Sequence, residues 1–256
     1  MVIPPVFVIN LDKSTKRMAR ISERLNHLDI PFERISGVYG ADLSKQEIAE
    51  HYCPKLNQKN YRRPLGLGEI GCYISHIKVW QTIVDQKISC ALILEDDIQL
   101  GDNFKSIAEH LSAYSNDFDM IKLYVRKLKP KIIASTPITN KHHLCVLKKI
   151  PISTPAQLVS YSGAKKLISN FSKFGRPVDV DIQHWWEADL KILSTFPSVA
   201  SPTKGGISDI EEQGIRRGTT SMLSNAKNIL RRIKYELILR TKQQDQTLPC
   251  IEKLDI

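Results

Sequence analysis

The stretch Ser89–Phe104, SCALILEDDIQLGDNF, constrains this chain more than any other. Ala91 to Leu94 form a continuous apolar run that ends on three acids, Glu95, Asp96 and Asp97. A short apolar run with polar punctuation reads as a buried strand, most often in a parallel sheet with both faces covered. In open α/β sheets, ligands sit beyond the carboxyl ends of such strands. Carboxylates packed this closely repel one another unless something positive holds them, and a hard divalent cation is the usual partner. The other reading is a solvated acidic turn entering a helix, since Asp and Glu favour helix N-termini. The four hydrophobes directly before the acids favour the metal site.

The N-terminal segment has the same grammar. Val6 to Leu11 is strand-like and ends at Asp12; a helix is predicted from about Thr15 to Leu28, on Met18, Ile21, Leu25 and Leu28 at helical spacing. Pro31 to Ile35 reads as a second strand, and β-α-β order implies a parallel pair. Asn10, Asp12 and Arg17 then gather at a strand's carboxyl end and the next helix's first turn, which suits a nucleotide: amide or carboxylate for base and ribose, Arg for phosphate. A helix cap and a surface charge would give the same spacing. Further on, Gly66 and Gly68 punctuate a loop before a helix predicted from about Glu69 to Gln86, with Ile70, Tyr73, Ile74, Ile77, Trp80 and Val84 as its core stripe. The glycines could admit a diphosphate at that helix's N-terminus. His76 falls at the margin of the stripe, where a lone His is more often structural than a ligand; it is kept among the donor-side candidates.

A third constellation is Arg176 to Glu187, RPVDVDIQHWWE. Asp179 and Asp181 alternate with valines, so in an extended segment both face one side. Trp185 and Trp186 follow, and aromatic faces beside carboxylates are how proteins hold sugars. The alternative is that the tryptophans are core and the aspartates cap a helix.

At 256 residues the chain can bury one good core with a small appendage. Five scattered cysteines without a CxxC pair argue against a disulfide scaffold or zinc knuckle and suit a reducing compartment. The N-terminus MVIPPVFVINLD predicts neither signal peptide nor membrane span. The net charge of +10 gathers in two places: Lys122 to Lys149 holds eight Lys/Arg and no acid, and Arg216 to Lys242 holds eight against Glu236 alone. Such fields attract nucleic acid, anionic membrane or phosphorylated ligands. Nucleic acid is disfavoured because the cations do not interleave with stacking aromatics and no nucleic-acid motif appears. Pro202 to Gly218 suggests a mobile loop. From Leu223 to Arg240, Leu223, Ala226, Ile229, Leu230, Ile233 and Leu237 form one stripe, with Lys227, Arg231, Arg232 and Lys234 off its centre. A basic amphipathic helix there reads as a membrane-surface anchor or a partner-binding helix, or else as a terminal helix packed on its own domain. The division expected is a catalytic domain over 1–218 and a basic helical tail over 219–256.

Four segments in order, VFVINLDKSTKRMARI, GLGEIGCYISHIKVW, CALILEDDIQL and AQLVSYSGAKKLI, resemble the successive motifs of glycosyltransferase family 25, which includes bacterial lipooligosaccharide glycosyltransferases, many of them galactosyltransferases. The resemblance runs from about Val6 to Asp181. It implies an α/β, GT-A type, Rossmann-like nucleotide-diphospho-sugar transferase fold with a mostly parallel central sheet. It also implies an inverting transfer, of galactose by preference, from a UDP-sugar donor to a saccharide acceptor on a lipid A-core, with Mn²⁺ or Mg²⁺. The usual metal motif of that fold is Asp-x-Asp; here it is Glu95-Asp96-Asp97, which leaves the division of labour open. By resemblance, Asp97 would bind the metal, Asp96 would hold ribose or a metal-bound water, and Glu95 would act from behind. Asn10, Asp12 and Arg17 would help seat the nucleotide, and Arg17 or Lys122 could share the leaving group's charge. Inversion needs a base for the acceptor hydroxyl; Asp181 is the first candidate and Asp179 the second, with Trp185 and Trp186 on the acceptor side. The expected place is the cytoplasm, peripheral on the inner face of a bacterial inner membrane, held by the cationic tail. A metal-dependent nuclease and a catalytically inactive sugar-binding relative are the alternatives.

Overall fold

The computed structural model describes residues 2–126, 129–203, 222–242 and 247–256, with side chains in the last long helix described from residue 228. Its elements run β1 (Val6–Asn10), α1 (Thr15–His27), β2 (Glu33–Ser36), α2 (Lys45–His51), α3 (Pro54–Asn60), α4 (Leu67–Asp85), β3 (Cys90–Glu95), β4 (Ile98–Leu100), α5 (Phe104–Ser112), β5 (Met120–Lys122), β6 (Ile132–Pro137), β7 (His143–Leu147), β8 (Ala156–Ser160), α6 (Tyr161–Phe171), α7 (Val178–Gln183), β9 (Ile192–Phe196), β10 (Ala200–Pro202) and α8 (Met222–Thr241).

Eight strands make one sheet in the order β2-β1-β3-β8-β5-β9-β7-β6. Pairings are parallel for β1 with β2 and β3 and for β5 with β9, and antiparallel elsewhere, so six strands run one way and β7 and β8 run against them. Strand side chains alternate between two cores. Phe7, Ala91, Ile93, Met120 and Val159 face α4, α6 and α7, joined by Tyr73, Trp80, Leu167 and Ile182. Val8, Leu92, Leu94, Ile121 and Leu158 face α1 and α5, joined by Ile21, Leu25, Phe104 and Leu111. This is a three-layer α/β fold, and β3, buried on both faces, is the strand expected of the apolar run before the acids.

Two features fix the surroundings of β3's carboxyl end. The short β4, just past the triplet, pairs antiparallel with β10, and the Thr203 N–H donates to the Asp97 carbonyl at 2.8 Å. On the other side, the turn at Gly40–Asp42 lies backbone to backbone against α4. A Cβ on Gly40 would overlap the Leu67 carbonyl, and one on Gly71 would overlap that of Val38, so only glycine permits this approach.

The last helix packs on its own domain, but not through the stripe. The stripe of α8 faces away from the domain: Ile229, Leu230, Ile233 and Leu237 are 59%, 65%, 51% and 53% exposed. The helix docks by its opposite side instead. Leu239 is buried, Tyr235 packs on His184 and Trp186, and Arg231 donates to the Gln58 carbonyl. Beyond it, Leu248, Ile251 and Leu254 pack on the α1/α5 core, and Leu254 N–H donates to the Ile138 carbonyl at 2.7 Å. The loop expected from Pro202 to Gly218, the 218/219 boundary and the side chains of Leu223, Ala226 and Lys227 lie outside the described residues, apart from Pro202 and Thr203. Among the described residues no helix is long and apolar enough to cross a membrane.

Candidate active site

Parallel pairing of β1 with β3 sets Ile9 beside Glu95, so the ends of both strands open at one place. Asn10, buried at the tip of β1, donates through Nδ2 to Asp96 Oδ2 at 2.6 Å and to the Ser14 carbonyl at 3.1 Å. Arg17, in the first turn of α1, stands 3.6 Å from Asp96. The structure thus brings Asn10, Arg17 and Asp96 together. Asp12 sits just outside: it is 74% exposed, ion-paired with Arg34 and accepts from Ser36 at 2.9 Å. Those two hydrogen bonds hold its carboxyl below the usual range. Arg34, which sequence reasoning passed over, donates from Nε to Asn10 Oδ1 at 3.0 Å. Its signal was available, because a parallel β1–β2 pair places residue 34 opposite Val8.

The three acids divide into different environments. Glu95 accepts from Thr154 Oγ1 at 2.6 Å and lies 3.4 Å from His76 Nε2. Burial alone would raise its carboxyl, but His76, Thr154 and Lys122 outweigh burial and keep it below the ordinary value. Asp96 has Asn10 and Arg17. For Asp97, burial and then repulsion from Glu95 and Asp96 push the carboxyl up to about 6, against the weaker pull of Arg17. A carboxyl raised by its own neighbours is what a bound cation would relieve. Asp97 with Asp96 offers the hard oxygen donors that Mn²⁺ or Mg²⁺ prefer.

Beside the triplet stands Lys122, the last residue of β5, fully buried and donating to the Ser153 carbonyl at 2.6 Å. Burial pushes its ammonium down to about 8, while the charges of Asp179 and Glu95 pull the other way. The Ser153 N–H in turn donates to Asp179 Oδ2 at 2.9 Å. One loop, Ser153-Thr154, therefore touches Lys122, Asp179 and Glu95. It carries no periodic signal and was not singled out.

Several expectations need correction. Asp179 and Asp181 do not share a face of an extended segment: Val178–Gln183 is helical, and two residues at about 100° each place them on roughly opposite sides. Acids in a helix's first turn suit its dipole, and valines at alternate positions tolerate one such turn. Asp179 faces the triplet's side. Asp181, 2% exposed, is ion-paired with Arg176 and accepts from Tyr73 Oη at 2.8 Å; Arg176 also grips Glu187. Asp181 is thus held in a buried ion-pair network, at the edge of a cavity lined also by Asn60, Arg176 and Glu187 and by none of the three acids. Trp185 is buried in the core, whereas Trp186 is half-buried, with His184 and Tyr235 on it at ring separations of 5.0 and 5.4 Å. His76 is 0% exposed, inside the core rather than at the stripe's margin, and lies against Glu95. The start of α4 offers no diphosphate seat either, because Glu69 already accepts from the Gly66 N–H at 2.9 Å and pairs with Arg63.

The sequence profile of Glycosyltransferase family 25 (LPS biosynthesis protein) matches residues 3–182. Procollagen galactosyltransferase 1-B of Xenopus laevis is 28% identical over 233 residues, covering 80% of this chain and 38% of that protein. Procollagen galactosyltransferase 2 of Homo sapiens is 25% identical over 237 residues, covering 82% and 37%. Probable inactive glycosyltransferase 25 family member 3 of Rattus norvegicus is 27% identical over 219 residues, covering 77% and 38%. The chain thus spans less than two fifths of these relatives' length. In three dimensions it is similar to a glycosyltransferase involved in the glycosylation of the major capsid of PBCV-1, with a TM-score of 0.36 and 9% identity, covering 82% of this chain and 95% of that one.

Proposed function

The chain belongs to glycosyltransferase family 25, and from that premise we propose that it is an inverting, metal-dependent hexosyltransferase of the GT-A type. Its donor is a UDP-sugar, by preference UDP-galactose, and its acceptor a saccharide of a lipooligosaccharide or lipid A-core. The observation that carries the reading is the convergence of Asn10, Arg17, Asp96 and Asp97 at the joined ends of β1 and β3, with Asp179 turned toward the same place. The preference for galactose rests on relatives that are named galactosyltransferases.

In this reading Asn10, Arg17, Arg34 and Asp12 seat the nucleotide, and Asp96, steadied by Asn10, faces the ribose or a metal-bound water. Asp97, beside Asp96, would hold the divalent cation, Mn²⁺ or Mg²⁺, whose charge would favour departure of a diphosphate. Lys122, protonated below about pH 8, adds a fixed positive charge close to Glu95 and Asp179, where diphosphate charge grows. The role of base passes from Asp181 to Asp179. The acceptor oxygen bonds to the anomeric carbon, the bond from that carbon to the diphosphate oxygen breaks, and the hydroxyl proton moves to the Asp179 carboxylate. The Ser153 N–H occupies Oδ2 of Asp179, which leaves Oδ1 for that proton. Half-buried Trp186 is the acceptor-side aromatic.

The cationic surface fits an acceptor carried in an anionic leaflet. The exposed stripe of α8, flanked by Arg232, Lys234 and Arg240, would hold the enzyme on the cytoplasmic face of the membrane. A panel of UDP-sugars with Mn²⁺, read as UDP release with and without chelator, tests the reading. Chelator-sensitive release from one donor is expected. No release from any donor would sink it and favour the inactive sugar-binding alternative, which the rat relative's name also raises.

A further inference from the structure

One cluster beside the triplet is left over by this chemistry. Cys72 and His76 are four apart on α4 and so share one face of a rigid helix. Together with Glu95 they offer a sulfur, a nitrogen and an oxygen that all lie within 4.8 Å of one another. We propose that Cys72, His76 and Glu95 form a second metal site, selective for a soft divalent cation such as Zn²⁺ and separate from the all-oxygen donors Asp96 and Asp97. The argument is geometric and does not depend on the transferase reading.

The separation of His76 Nε2 from Glu95 Oε1 is 3.4 Å. That is long for a charge-assisted hydrogen bond and matches two ligands on one tetrahedral zinc, which with arms of about 2.0–2.1 Å stand about 3.4 Å apart. His76 is wholly buried, and among the described residues Glu95 is its sole polar partner; its Nδ1 has none. As a ligand through Nε2 the imidazole would carry its proton on Nδ1, which has no acceptor among the described residues. Thr154 donates to Glu95 Oε1 at 2.6 Å, the outer support that ligating carboxylates usually receive. Cys72 is partly buried against the α4 core.

Burial, and after it the charges of Glu95, Asp179, Asp97 and Glu69, hold the Cys72 thiol well above its ordinary value, so it stays protonated until a cation arrives. On binding, the thiol gives its proton to solvent, and thiolate plus carboxylate then balance the two charges of the ion. Thiolate and imidazole select Zn²⁺ over Mn²⁺ or Mg²⁺, which prefer oxygen.

The test is Co²⁺ titration of the full chain, reduced and metal-free, with Mg²⁺ in excess to fill oxygen-only sites. Wild type should show one equivalent of a near-ultraviolet thiolate-to-Co²⁺ charge-transfer band, bleached by one equivalent of Zn²⁺. Cys72→Ser should lose the band and His76→Gln should weaken it, while Cys250→Ser keeps it. Absence of the band in folded wild type overturns the proposal without reference to any variant. Persistence of the full band in Cys72→Ser, with native circular dichroism, overturns it as well.

Discussion

Asp97→Asn should make the metal-free protein more stable while removing its response to Mn²⁺. In the folded chain Asp97 sits at about 6, against an ordinary 3.8. A gap of roughly two units at about 1.4 kcal/mol each means that holding this carboxylate ionised costs about 3 kcal/mol as an upper bound. The sign follows from linkage. A carboxyl raised in the folded state contributes its stability below pH 3.8, where it is protonated in both states, and loses it as pH rises through 6. At pH 7 the full cost is present, and an uncharged amide escapes it. For a domain of this size each kcal/mol is about 2–4 °C, so the variant should melt several degrees above wild type at pH 7 in chelator. The difference should shrink at pH 4.5. Mn²⁺ at about a hundredfold over its Kd should restore about 2.7 kcal/mol to wild type by linkage and little to the variant. Thermal melts at both pH values, with and without Mn²⁺, decide it. A variant that melts at or below wild type at pH 7 in chelator, or one that Mn²⁺ stabilises equally, refutes the reasoning.

Other expectations are shorter. Asp179→Asn should cut kcat about 10²-fold or more, as removal of a general base does, with UDP-induced stabilisation unchanged; Asp181→Asn should instead act on stability, because Arg176 loses a buried partner. For Asp181→Asn the lost Arg176 pair works against relief of a carboxyl that burial raises to about 6, so UDP-release kinetics rather than urea unfolding separates the two, and a folded, inactive Asp181→Asn would reverse the assignment. At limiting metal, kcat/KM should rise through about pH 6 as Asp97 ionises and fall above about pH 8 as Lys122 loses its proton; a profile flat from 5 to 9 would contradict both. Leu230→Ser with Ile233→Ser, both exposed, should weaken binding to anionic vesicles in a flotation assay and leave turnover of a soluble acceptor intact. This pair is a sharper probe than deleting everything after residue 218, which would also strip Leu248, Ile251 and Leu254 from the core. Unchanged flotation rejects the membrane reading. Gly163→Ala should fail to accumulate as soluble protein, since its Cβ would overlap the Asp119 carbonyl.

The legible parts were those where chemistry and periodicity coincide locally. A run of four hydrophobes ending in acids has few other folds open to it, and β3 with its triplet is where that pattern put it. At the start of α2, Ser44 and Glu47 form a reciprocal cap, a spacing that marks a helix start in the sequence itself. Lys122 ends a buried strand on a charge, the same pattern as Glu95, and was noticed for its charge alone. What stayed hidden depends on contacts across long stretches of chain. The Ser153-Thr154 loop meets Glu95 and Asp179 only after β8 has folded back beside β3. Asp179 and Asp181 misled because alternation over four residues does not tell a strand from a single helical turn. For α8, a stripe gives the existence of an apolar face and not its direction. The inward side is chosen by Tyr235 and Leu239, whose partners Trp186 and His184 lie some fifty residues earlier.

That choice has a mechanical result. The ring roofing Trp186 belongs to the helix whose far side carries Ile229, Leu230, Ile233 and Leu237. Under the proposed reading, a load on those four residues would be borne by the same helix that covers the indole.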